Sequence, residues 1–265
     1  MLIAQITDLH IRAKGALAYS GRIDTGARLT QAIDYLNAFE PRPDLVLATG
    51  DLIDLGTAAE YAHLRELLSR LTLPCYLIPG NHDHREHLRA AFADHAYLPR
   101  QGFLHYTIED RPVRLIGLDT HDPGKVGGLM CEARTAWLDA RLAEQPKRPT
   151  VIFMHHPVHE TGIVGMDRVR CEGAERMGAV VRRYDNIERV LCGHLHRTTQ
   201  VRWCGTISAS VPATAPEVVL AIDGMGPFGW RDSPPHIGIH LWRDGVGLIS
   251  HVATVTDATP YPFAY

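Results

Sequence analysis

Five short stretches of the chain set carboxylates, an amide and imidazoles at close spacing. They are Asp8-Leu9-His10, Gly50-Asp51-Leu52-Ile53-Asp54, Gly80-Asn81-His82-Asp83, His155-His156-Pro157 and Gly193-His194-Leu195-His196. Mixed oxygen and imidazole donors suit Mn, Fe, Zn or Co better than Ca or Mg. Asp8, His10, Asp51, Asn81, His155, His194 and His196 offer seven donors, too many for one tetrahedral ion. Two divalent ions sharing a carboxylate would use them. Such pairs lie roughly 3.5–4 Å apart and clamp an in-line phosphoryl displacement. Two divalent cations outweigh Asp8, Asp51 and a hydroxide, and the surplus positive charge attracts a phosphate ester. The neutral amide of Asn81 keeps that balance positive.

Each of these stretches follows a short apolar run. Residues 2–7, 44–49, 75–79, 113–118, 150–154 and 189–192 read as buried strands. Between them, 27–39, 58–71, 85–92, 131–144 and 173–184 carry apolar residues at helical spacing, as at Ala32, Ile33, Leu36 and Phe39. Alternation of this kind argues an α/β domain with a largely parallel sheet. The strand ends of such a sheet share one edge, and ligands bind there. Asp8 and His10 are two apart on what reads as an extended segment, so both would point the same way, and His194 and His196 repeat this. Gly50, Gly80 and Gly193 stand where the backbone must turn sharply off a strand. Any one of these pieces also occurs as an ordinary turn, cap or core histidine. Five in order, each at a strand end, argue a single site.

The last sixty or so residues read as mainly β. Residues 206–209 and 218–222 are strand-like, and 237–242 and 247–252 flank the turn dipeptide Asp244-Gly245. Residues 224–235 are rich in Gly and Pro and read as a loop.

Composition narrows the function classes. The 265 residues suit one large domain, or a domain with an appendage. The formal net charge of −3, from 27 basic and 30 acidic residues, argues against wrapping a nucleic-acid polymer or coating an anionic membrane. Five cysteines without a Cys-x-x-Cys pair argue against a disulfide framework or a thiolate zinc site. The start of the chain is apolar with an acid at position 8, unlike a secretory signal. No apolar run approaches the roughly 18 residues of a membrane span. The cytoplasm is the expected location.

The ordered set resembles the calcineurin-like metallophosphoesterases. Gly80-Asn81-His82-Asp83 is similar to the motif of the bacterial class III cyclic nucleotide phosphodiesterases. The likeness is strongest to the bacterial glycerophosphodiesterase branch, through 78–83, 152–157, Met166-Asp167 and Cys171-Glu172. It covers roughly 1–215. The resemblance implies a four-layer α/β/β/α sandwich with a catalytic domain at 1–215. A β-rich segment at 216–265 would complete the second sheet and serve in oligomerisation. It further implies that Asp8, His10, Asp51 and His196 hold one metal. Asp51, Asn81, His155 and His194 would hold the other, with Asp51 bridging. His82 would lie beside the phosphate, and a metal-bound hydroxide would attack. Asp54 stands where that branch has a neutral residue, and two roles stay open for it: an orienting partner for a ligand histidine, or a solvated acid. His156 takes no metal in this scheme. The loops at 13–24, 120–130 and 159–170 would border the substrate, with Tyr19, His121 and His159 as contacts.

A dinuclear phosphodiesterase for small diesters is therefore the expected function. The expected substrates are cyclic nucleotides, glycerophosphodiesters or aryl diesters. A phosphomonoesterase on the same metals is the alternative. A monoester dianion usually wants extra cationic clamps, and here Asp54-Leu55-Gly56 replaces the Asp-Arg-Gly of the phosphatase motif. A nuclease would want a basic, aromatic-interleaved stretch, which the chain lacks. A scaffold without chemistry would have lost ligands, and none is missing. A homo-oligomer is expected by analogy.

Overall fold

The apolar runs fold as strands and the amphipathic stretches as helices. The computed structural model describes residues 1–258, 261 and 263. Part of the expected C-terminal segment, residues 259, 260, 262, 264 and 265, lies outside that description. The first half runs β1 (Leu2–Ile6), α1 (Thr25–Ala38), β2 (Leu45–Thr49), α2 (Ala58–Leu68), β3 (Cys75–Ile78), α3 (Arg85–Ala91), β4 (Tyr106–Ile108) and β5 (Arg114–Leu118). Next come α4 (Glu132–Glu144), β6 (Thr150–Met154), α5 (Val164–Asp167), α6 (Ala174–Val181), β7 (Ile187–Cys192), β8 (Thr199–Trp203) and β9 (Thr206–Ser210). Last come β10 (Glu217–Val218), β11 (Trp230–Arg231), β12 (His236–Arg243) and β13 (Gly247–Thr254).

Two large sheets result, with a two-stranded β10-β11 ribbon beside them, rather than the single sheet that strand reading alone suggests. One has the order β13-β12-β1-β2-β3, the other β4-β5-β6-β7-β9-β8. In the first, β1, β2 and β3 run parallel and β12 and β13 add antiparallel beside β1; in the second, β5, β6, β7 and β9 run parallel between the antiparallel strands β4 and β8. Side-chain alternation explains the layering. In the second sheet, Leu115, Val151, Phe153 and Leu191 pack with the first sheet. Their neighbours Ile116, Ile152, Met154 and Val190 pack under Leu138 and Leu142 of α4 and Met177 and Val181 of α6. On the far side, Leu29 and Ile33 of α1, Tyr61 of α2 and Leu88 of α3 cover the first sheet. The order is helices, sheet, sheet, helices, as the resemblance implied. Each fully buried Leu or Ile contributes about 1.5–3 kcal/mol.

Three sequence expectations are corrected. The C-terminal hairpin does not complete the second sheet. β12 adds antiparallel to the open edge of β1, from Leu2 opposite Leu241 to Gln5 opposite Gly238. The second sheet is already extended by β9 and β8, and Ile237 and Ile239 of β12 sink into the core beneath β1. The strand expected at 218–222 shrinks to β10, which pairs with β11 inside the expected loop. β4 is three residues long, and β8 is nowhere fully buried, with only Val201 and Trp203 apolar, so neither forms an apolar run.

Candidate active site

Four of the seven expected ligands leave the first sheet: Asp8 and His10 after β1, Asp51 after β2, Asn81 after β3. His155 after β6 and His194 and His196 after β7 leave the second. The loops after β1 and β2 stay paired beyond the sheet: Asp8 N–H donates to Gly50 O (3.0 Å) and His10 N–H to Asp51 O (3.0 Å). Across the sheets' seam, His194 N–H donates to both oxygens of Asp8 at 3.0–3.1 Å.

The segments bearing these residues are not extended. Asp8, His10, Asp51, His194 and His196 have φ of 51°, 46°, 47°, 69° and 50°, all left-handed. Asp and His tolerate this region better than most side chains, at a cost of about 1–3 kcal/mol each when the surroundings enforce it. The paired side chains therefore converge by a left-handed turn at each ligand, not by strand geometry. Gly50, at φ +90°, supplies the expected turn, whereas Gly80 serves close approach. A Cβ there would lie 2.2 Å from Asp51 Oδ1.

Acceptor atoms crowd one volume. His196 Nε2 lies 3.3 Å from Asp8 Oδ1 and 3.3 Å from His10 Nε2. His155 Nε2 lies 3.3 Å from Asp51 Oδ2 and 3.3 Å from Asn81 Oδ1. Carbonyls claim the other ring nitrogens: His155 Nδ1 donates to Thr49 O (2.8 Å) and His196 Nδ1 to Pro216 O (2.7 Å). His194 Nε2 is buried with no hydrogen-bond partner. An orphaned imidazole nitrogen beside carboxylates, with neighbouring rings fixed so that their lone pairs face inward, fits bound cations.

Charge coupling agrees. Burial alone would raise Asp8, yet His196 and His155 outweigh it and hold its carboxyl at about 2. Burial likewise opposes Asp51, but His155 and His82 bring it well below the usual range. Burial depresses His155, and Asp51 and Asp8 outweigh that to raise it to about 9. Burial, with His155 next, pushes His194 down to about 3. The carboxylates thus keep protons where divalent cations would sit, and metal binding would displace them.

The residues around this centre sort clearly. His82 donates from Nδ1 to Asp54 O (2.7 Å), and its Nε2 lies 4.0 Å from Asp51 Oδ2. The Asp54 carboxylate faces His10 Nδ1 (3.3 Å) and receives Arg12 (2.9 Å), the geometry expected of an orienting partner and not of a solvated acid. His156 has both nitrogens occupied, by Thr120 Oγ1 (2.8 Å) and Val126 O (3.1 Å). A cleft of about 530 Å³ opens over the centre, with His10, Asp51, Asn81, His82, His194 and His196 in its lining. Tyr19 lines it too, edge-on to His10 at 5.7 Å.

His159 and His121 are not in the cleft lining. His159 is buried and bonded to Ser208 Oγ and Thr199 Oγ1, both at 2.8 Å, in the second sheet. His121 is buried, with its backbone carbonyl held by Arg85 and Arg134. Sequence reasoning missed Phe228 and Trp230, which do line the cleft. Two aromatics in a Gly- and Pro-rich stretch were the available signal.

A two-sheet sandwich with seven donors converging on its seam defines a metallophosphoesterase. Residues 1–198 match the calcineurin-like phosphoesterase family, and the chain belongs to it. A probable glycerophosphodiester phosphodiesterase of Arcobacter nitrofigilis is 34% identical over 99% of this chain and 97% of that protein. A 3',5'-cyclic adenosine monophosphate phosphodiesterase of Escherichia coli is 27% identical over 98% of this chain and 92% of that protein. A dimetal phosphatase from Danio rerio shares the fold, with a TM-score of 0.67 at 15% identity over 97% and 99% of the two chains. The family uses divalent metals, and the clustered Asp and His donors here suit them.

Proposed function

We propose that this chain is a two-metal phosphodiesterase for small phosphodiesters. Asp8, His10, Asp51 and His196 hold one divalent cation, and Asp51, Asn81, His155 and His194 the other. The convergence of donor atoms from Asp8, Asp51, His10, His155 and His196 carries this reading. Asp51 lies between the two groups, with Oδ2 3.3 Å from His155 Nε2 and 3.8 Å from His10 Nε2, which supports its being shared. Mn, Fe, Zn or Co suits the donor set.

When bound, the metals supply Lewis acidity and make a water nucleophilic near neutral pH. His82 is the protein's own proton donor. Burial opposes its protonation, but Asp51 together with the Asp54 carbonyl and carboxylate outweighs burial and raises its pKa. With Nδ1–H fixed on Asp54 O, its Nε2–H faces the cleft and donates to the departing ester oxygen or a phosphoryl oxygen.

Neither Lys nor Arg lines the cleft among the described residues. A diester monoanion needs less cationic help than a monoester dianion, which favours the diester. The glycerophosphodiester and cyclic nucleotide relatives support small substrates over a polymer. All five cysteines are unpaired, which suits a reducing compartment such as the cytoplasm. No helix among the described residues is long and apolar enough to cross a membrane. Among the described residues β13 is an edge strand of its sheet, which supports a homo-oligomer.

Chelator-treated protein titrated with Mn²⁺ tests the reading, with bis(p-nitrophenyl) phosphate and p-nitrophenyl phosphate assayed in parallel. Faster diester cleavage requiring more than one equivalent of metal is expected. Faster monoester cleavage would transfer the conclusion to a phosphomonoesterase.

A further inference from the structure

The mouth of the cleft carries apolar side chains that the fold itself does not need. Leu55 is 62% exposed, Val126 55%, Phe228 62% and Trp230 38%. Single exposed apolar residues are ordinary, but a group of them around one cleft marks a binding surface. Trp230 is held in place. Its strand β11 pairs with β10, Val218 opposite Trp230, and Glu217 binds both Arg197 and Arg231. The indole stands edge-on to Tyr19 at 4.9 Å. Phe228 lies over Gly165, where a Cβ would come within 2.5 Å of the ring. Position 165 thus leaves room for that ring.

We propose that the wall of Tyr19, Phe228 and Trp230 receives one alcohol arm of the diester, and that this arm is uncharged and apolar or aromatic. The inference rests on the phosphodiesterase reading and narrows its substrate class. An anionic arm finds no matching partner there, and a cationic arm would find ring faces but no free carboxylate, the case that the phosphocholine probe decides. The cleft lining has neither Lys nor Arg, and its acids, Asp51 and Asp54, face the histidines and Arg12. A polyol arm would need several hydrogen-bonding groups, whereas this wall offers ring faces and aliphatic Leu55 and Val126. The buried Tyr19 hydroxyl has no partner and supplies one hydrogen bond to an oxygen of the arm. Flat apolar groups gain by stacking on such rings and by leaving water.

The test uses the full chain loaded with Mn²⁺ and calorimetric binding of four probes: inorganic phosphate, methyl phosphate, phosphocholine and phenyl phosphate. Phenyl phosphate should bind about tenfold tighter than methyl phosphate, and phosphocholine no tighter than methyl phosphate. Trp230→Ala should erase the phenyl preference while phosphate still binds, and Trp230→Phe should keep most of it. Should Trp230→Ala lose phosphate as well, Phe228→Ala decides, since its ring is the more exposed. Equal affinities for phenyl and methyl phosphate, or a preference for phosphocholine, would overturn the proposal. So would a phenyl preference that survives in Trp230→Ala, or in Phe228→Ala where that variant decides. If the loaded wild-type protein binds no phosphate at all, the two-metal phosphodiesterase reading itself fails.

Discussion

His10 and His196 turn their Nε2 atoms toward one another at 3.3 Å. His196 Nδ1 donates to Pro216 O at 2.7 Å, and His10 Nδ1 faces the Asp54 carboxylate at 3.3 Å. With both rings neutral, two lone pairs oppose each other, and only a proton or a cation between them relieves this. Two metals per chain are therefore expected, measured by mass spectrometry of the isolated protein. His10→Ala should lower the content to about one, with turnover lost. Unchanged content in that variant would remove His10 from the ligand set.

His82 lines the cleft, with its Nε2 4.0 Å from Asp51 Oδ2. His82→Ala should lower kcat by about 10²–10⁴-fold with metal content unchanged. If the imidazole protonates the departing oxygen, the loss should be smaller for a p-nitrophenyl ester than for an alkyl ester. Comparing the two substrates checks this, and equal losses would limit His82 to stabilising phosphoryl charge.

Gly80 carries Asp51 across its Cα face. Gly80→Ala should displace the Asp51 carboxylate, at about 1–3 kcal/mol of stability. Metal content and turnover should fall together. Denaturant unfolding alongside metal analysis separates the local effect from unfolding, and full metal content at wild-type activity would contradict the close approach.

His240 lies outside the site, bonded to Gln5 Oε1 (3.0 Å) and Ser250 Oγ (2.8 Å). Burial, followed by the charges of Arg189 and His251, pushes its pKa down to about 3. The unfolded ring titrates near 6.5, so the unfolded state takes up a proton first. Its contribution is complete above that value and is lost as pH falls toward 3, by at most about 1.4 kcal/mol per pH unit. His105 and His121, both lowered to about 4, add to the same decline. His240→Gln should shrink the stability difference between pH 7.5 and pH 5, read from urea midpoints.

The strand ends were legible because buried parallel strands are continuous apolar runs, as in Leu45–Thr49 and Thr150–Met154. What those runs do not encode is which sheet each joins. The antiparallel addition of β12 beside β1 depends on contacts between opposite ends of the chain, such as His240 with Gln5, 235 residues apart. The left-handed turns at Asp8 and His10 were also hidden, since the Asp-x-His spacing fits an extended strand equally well. β10 and β11 are two residues each, too short for any period to register. His159 sits in a polar-looking loop, yet its ring is enclosed by hydroxyls from β8 and β9.

The division of the donors between the two sheets has a mechanical meaning. Asp8, His10, Asp51 and Asn81 hang from one slab of the sandwich, and His155, His194 and His196 from the other. Cations gripped from both sides would act as rivets through a laminate. Their withdrawal would leave the shared apolar plane and the His194-to-Asp8 hydrogen bonds to hold the slabs together. Scarcity of metal would then shorten the protein's lifetime against proteases as well as silence it.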